Sequence, residues 1–205
     1  MFTNKYNFLK GAASFAFELI IVFCGVLLAF FVSDWRSKNI QKERYQKTIE
    51  VLHREISDFV SYGPIPVKAM EDSLQQYYQQ RKNGLYPVPG HYREPRATGA
   101  PTAAWEATLA SGAQEILPPD LFYELTLYYN RVESINEKFE RYSIRNEEMY
   151  LFIHDDPELD FYKNGKLRKE FRVHIQILEE VIAEIKLLIE EADTLKTKLG
   201  KQLNI

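Results

Sequence analysis

Four histidines and 29 carboxylates are the chain's stock for acid–base or metal chemistry, and their spacing decides how much of it can be used. Glu50 and His53 form one E-x-x-H, the ligand pair that di-iron bundles use twice. The second copy is missing, so a two-metal centre cannot be composed from it. Glu170 and His174 lie one turn apart on a helix and have the reach of a ligand pair. His174, however, falls on an apolar stripe, where a hydrogen-bonded core histidine is the expected reading. The acidic turn His154, Asp155, Asp156, Pro157 and Glu158 matches no calcium loop, and a solvated helix stop is expected there. Cys24 is the sole cysteine, which excludes a disulfide framework or a thiolate metal site within one chain. No Gly-rich phosphate loop, no G-x-S-x-G elbow and no spacing of nucleophile and base occurs. The expectation is a protein that is not an enzyme, with no cofactor, no metal and no catalytic residue.

The residue with most to say is Glu18, a carboxylate inside an otherwise apolar run over 11–33. At about 1.5 Å per residue the run makes a helix of roughly 34 Å, against a hydrocarbon core of about 30 Å. Its thirteen Leu, Ile, Val and Phe residues each favour insertion by roughly 0.3–0.6 kcal/mol, which outweighs roughly 3 kcal/mol for one charge. A single-pass transmembrane helix is therefore expected, retained as an anchor, since a cleaved signal needs a shorter core and a small-residue cleavage site. Gly11, Ser14, Glu18, Val22, Gly25, Ala29 and Ser33 recur at 3 or 4 residues and share one face. Small residues around one polar group are what close helix packing in lipid requires. A lone protonated glutamate, or a proton path, is the alternative. Trp35 falls at headgroup level as an interfacial anchor.

Domains follow from this: a tail over 1–10, the span over 11–33 and a helical bundle over 34–205. The formal net charge of −3 comes from 26 Lys and Arg against 29 Asp and Glu, interspersed, which argues against nucleic acid as a partner. Arg36, Lys38, Lys42, Arg44 and Lys47 follow the span, while Lys5 and Lys10 precede it. By the positive-inside rule the bundle is expected on the cytoplasmic side of a bacterial inner membrane.

The fold class expected is all-α, the membrane helix continuing into a long antiparallel bundle. Tyr45, Ile49, Leu52, Ile56 and Phe59 keep an apolar stripe until Gly63, Pro64 and Pro66 break the helix. A second helix is expected over 67–83, a short one over 102–112 capped by Thr102 with Trp105 and Leu109 on one side, and a long one over 119–153. A last helix over 166–203 carries the cleanest stripe, from Leu167, Phe171, His174 and Leu178 to Leu199, widened by Ile175, Ile182 and Ile189. No strand pattern competes. The Pro- and Gly-rich loop over 84–101 is either a plain linker or a docking element, for which Tyr86, His91, Tyr92, Arg93 and Arg96 supply the aromatic and basic side chains.

Glu18-Leu19-Ile20-Ile21-Val22 followed by Gly25, Ala29 and Trp35 resembles the membrane signature of a large family of uncharacterised single-span bacterial membrane proteins. Trp105-Glu106 with Ser111-Gly112 resembles that family's second recurrent patch. Where the family usually has glycine before the glutamate, this chain has Phe17. The resemblance implies no activity; it implies that Glu18, the small residues after it and the Trp105 patch belong to one design. Two functional expectations remain. The first is a scaffold or accessory subunit that assembles in the bilayer with copies of itself or with a membrane-protein partner. The second is a sensory, ligand-responsive module that signals through a partner.

Overall fold

The computed structural model describes residues 3–90, 99–151 and 156–203, with the backbone alone for 3–21 and 113–114. Helix α1 runs from Thr3 to Tyr62 without a break, so helix begins eight residues before the expected span. The chain divides into two compact units, Met1–Gln46 and Lys47–Ile205. In the first unit every described side chain from Val22 to Arg44 is exposed. Among the described residues no helix is long and apolar enough to cross a membrane. The first half of the expected span, residues 11–21, lies where the backbone alone is described.

The second unit is an all-α bundle. The turn after α1 is tighter than expected, because α2 (Pro64–Lys82) begins at Pro64 rather than at 67. Pro64 and Pro66 lie in its first turn, where a missing N–H is one that the helix could not bond anyway. Gly63 makes the tightness feasible: a Cβ there would stand 2.6 Å from the Phe59 carbonyl oxygen and 3.3 Å from Ile189. Next come α3 (Ala103–Ala110), a 3₁₀ turn (Ala113–Ile116), α4 (Pro119–Leu151) and α5 (Pro157–Phe161). The expectation of no strand needs correcting. Tyr162–Lys163 (β1) and Lys166–Leu167 (β2) pair as a minimal antiparallel hairpin, and α6 starts only at Lys169. Asn164 (φ 53°) and Gly165 (φ 73°) fill the two left-handed positions that a tight hairpin turn demands, which takes Leu167 off the helical stripe.

Charged pairs fix the register of the bundle. Glu124 meets Lys198, Arg131 meets Glu191, and Lys138 meets Glu184. As α4 advances by seven residues its partner on α6 recedes by seven, which is an antiparallel pair of helices with coiled-coil spacing. The same holds for α2, where Glu71 meets Lys186 and the Tyr78 hydroxyl donates to Glu179 over 2.8 Å. Helix α6 is thus packed on two sides, as its two apolar rows require. Its residues His174, Leu178, Val181, Leu188, Ala192, Leu195 and Leu199 are buried, as are Ile175 and Ile182. Ile49, Leu52, Ile56 and Phe59 of α1 and Leu125, Tyr128, Val132, Ile135 and Tyr142 of α4 complete the core. Met149, Phe161 and Tyr162 close it near the hairpin.

Candidate functional site

In the expected packing face, Gly11, Ser14 and Glu18 lie outside the described side chains. Val22, Gly25, Ala29 and Ser33 are all exposed, and a Cβ added to Gly25 would meet nothing within 4 Å. The other faces of the same stretch are equally bare, with Phe23 60%, Leu28 65%, Phe30 71% and Phe31 72% exposed. Trp35 is 62% exposed, and Cys24 is exposed. Beyond them Lys38 pairs with Asp34 over 2.8 Å, and that hydrogen bond raises the ammonium's pKa.

Inside the bundle, polar groups collect at two centres. At the first, the Glu55 carboxylate of α1 accepts the Ala104 N–H (2.7 Å) and the Tyr129 hydroxyl (2.9 Å). Glu55 thereby caps α3, a task expected of Thr102. The Thr102 hydroxyl instead donates to Glu106 over 2.6 Å, and no side chain at the N-cap bonds the helix. Trp105 lies flat on Tyr129, with centroids 5.1 Å apart and planes 1° from parallel. Leu109 does not share its burial and is 42% exposed. Burial, reinforced by the Glu55 charge, raises the Tyr129 pKa, so this phenol is a hydrogen-bond donor and not a latent nucleophile.

At the second centre His174 is 1% exposed, stacked on Tyr142 with centroids 4.4 Å apart, and its Nε2 lies 3.2 Å from the Asn146 Oδ1. An acceptor at that distance makes Nε2 the N–H and leaves Nδ1 a bare lone pair, which has no partner. Desolvation, with the Arg145 charge second, pushes the His174 pKa down to about 4. The expectation of a hydrogen-bonded core histidine holds at one nitrogen; Glu170 stays exposed.

The described ends of the 84–101 loop are both tied to asparagines of α4. Gly90 packs so closely on the Asn146 amide that a Cβ would collide with it, and Gly99 packs in the same way on Asn136. The Asn136 amide donates to the Ala100 carbonyl and accepts its N–H, both at 2.8 Å. Arg81 donates to Leu85 O and Gly165 O, each at 2.7 Å, while its guanidinium covers the rings of Tyr86 and Tyr162. Tyr86 is consequently half-buried, edge-on to Tyr162. His91, Tyr92, Arg93 and Arg96 lie outside the described residues, as do His154 and Asp155. Asp156 caps α5 by accepting the Glu158 N–H over 2.9 Å. Glu50 is exposed and His53 half-buried. Among the described residues no three His, Cys, Asp or Glu side chains stand where they could hold a metal ion.

Spacing did not reveal Glu55, Arg81 or Asn136 as the joints of this unit. Asn146 had a signal, since it continues the α4 stripe four residues past Tyr142, where an apolar side chain would be expected. No family model, curated protein or solved structure matches the chain.

Proposed function

We propose that this chain is a membrane-anchored helical bundle without catalytic activity, a scaffold or accessory subunit that assembles through the Glu18 face of α1. One observation carries the reading: the exposed apolar side chains of the first unit encircle the helix. Phe23, Val26, Leu27, Leu28, Phe30, Phe31 and Val32 are each about half exposed or more. At roughly 1.5–3 kcal/mol per fully buried side chain, leaving them in water forgoes on the order of 10 kcal/mol or more. A partner helix would cover one face; lipid covers all of them. Within that setting the open space around Gly25 and the exposed Ala29 leave room for a second helix beside Glu18. The basic residues from Arg36 to Lys47 support a cytoplasmic bundle at a bacterial inner membrane. Among the described residues of the bundle burial makes Tyr128, Tyr129 and Tyr162 weaker acids and His174 a weaker base.

The test uses a single engineered thiol. A Cys24→Ser, Ala29→Cys chain oxidised in native membranes should give a disulfide-linked dimer or a mixed disulfide with a partner, and adding Glu18→Leu should remove it. If Glu18→Leu leaves crosslinked species and co-purified proteins unchanged, the assembly reading is wrong.

A second reading, a ligand-responsive module, is favoured by a cavity of about 370 Å³ at the α1–α2 turn. A shift of α1 on filling it would reach the first unit along one unbroken helix.

A further inference from the structure

We propose that the cavity at the α1–α2 turn binds a small organic ammonium ion with an apolar body. The cavity, about 370 Å³, falls within the usual size for small-molecule sites. It is lined by Gly63 at the turn, by Gly99 and Ala100 from the loop, and by residues of α1, α2, α4 and α6. Met70 and Ile135, 1% and 3% exposed, form the floor, with Phe139 and Ile185 as half-buried walls. An apolar ligand body fits there.

The rim gives the sign of the charge. Among the described residues lining the cavity Asp58 is the only charged one; it is exposed, and no described residue forms an ion pair or hydrogen bond with its carboxylate. Two aromatic rings, Phe59 and Tyr62, accompany Asp58 on the same helix, and the face of such a ring attracts a cation. The Asn136 amide, also in the lining, is held in place by its two hydrogen bonds to Ala100. An apolar chamber whose one charged group, among the described residues, is a carboxylate beside aromatic rings favours an amine over an acid.

The inference deepens the ligand-responsive reading and rests on it only for any effect beyond binding. Three methionines give a direct readout in the full chain reconstituted in lipid nanodiscs. Met70 lines the cavity, while Met149 packs with Phe161 and Tyr162 elsewhere. With methyl-labelled methionine, 4-phenylbutylammonium should shift the Met70 resonance saturably and leave Met149 unmoved. 4-Phenylbutyrate, the same body with the opposite charge, should bind about tenfold more weakly, a factor worth about 1.4 kcal/mol. Asp58→Asn, at an exposed position, should erase that preference, and Ala100→Phe should block both probes by filling the chamber from the loop. No saturable Met70 shift, equal affinity for the two probes, or parallel movement of Met149 would each overturn the site. Binding with an unchanged crosslinking pattern at position 29 would uphold the site and overturn the ligand-responsive reading alone.

Discussion

Single side chains in this bundle hold positions where a polar group is worth its burial only if it is answered. His174 is answered at one nitrogen, and the consequence is a dependence on pH whose sign follows from its environment. Its folded pKa, about 4, lies below the ordinary histidine value of 6.5. The unfolded chain therefore takes up a proton as pH falls through 6.5, which the folded chain resists until about 4. Stability is unaffected above that window, declines within it and is lowest below it, by about 3 kcal/mol at 1.36 kcal/mol per unit. Urea midpoints for the chain and for His174→Gln at pH 7.5 and 4.5 should show a pH-dependent loss that shrinks in the variant. An identical loss in both would remove His174 as its source. Glu55 is answered twice, so Glu55→Ala strands a backbone N–H and a phenol together. We expect a cost of about 2–3 kcal/mol and a red shift of Trp105 emission, measured with Trp35→Phe so that Trp105 is the sole indole. Glu55→Gln, which keeps one acceptor oxygen, should lose less.

At the scale of elements, what could be read from the chain was whatever depends on periodicity. The α4 and α6 stripes and the Ile49–Phe59 stripe of α1 appear in the core almost residue for residue, because a long amphipathic helix must bury its apolar face. Features that depend on contacts between distant residues were not legible. The Tyr162–Leu167 hairpin is two residues per strand, too short to show alternation. The α3 cap is donated by Glu55, 49 residues upstream of the N–H it receives. The ties of the described ends of the 84–101 loop to Asn136 and Asn146 were not legible either, because those asparagines lie on another element. Those anchors make a prediction about the loop as a unit. Gly90→Ala and Gly99→Ala each set a methyl group against an asparagine amide. Each should destabilise the fold by about 1–3 kcal/mol, the range for overpacking, whereas Gly84→Ala, whose Cβ would meet nothing within 4 Å, should pay only for its left-handed backbone (φ 80°). Equal losses at 84, 90 and 99 in thermal melts would deny the anchoring role.

For the whole molecule, the two units make opposite demands on solvent. The second has a dense core and paired surface charges. The first displays a continuous apolar surface from Val22 to Val32, bounded by Asp34, Trp35 and Arg36. On the proposed reading the chain meets an aqueous phase and an apolar phase at once. It should float with phosphatidylglycerol-containing liposomes, remain bound in alkaline carbonate and be released only by detergent. Replacing Leu27 and Phe30 by Lys tests whether lipid is the apolar phase. Two charges in the C-terminal part of the expected span oppose insertion by up to roughly 5–7 kcal/mol, the value at a helix centre, so the double variant should leave the lipid fraction. Its urea midpoint should stay where it was, because neither residue lies in the unit from Lys47 onward. Flotation unchanged by the two lysines would mean that the bare apolar surface of α1 serves something other than a bilayer, and the anchor would have to be abandoned with it.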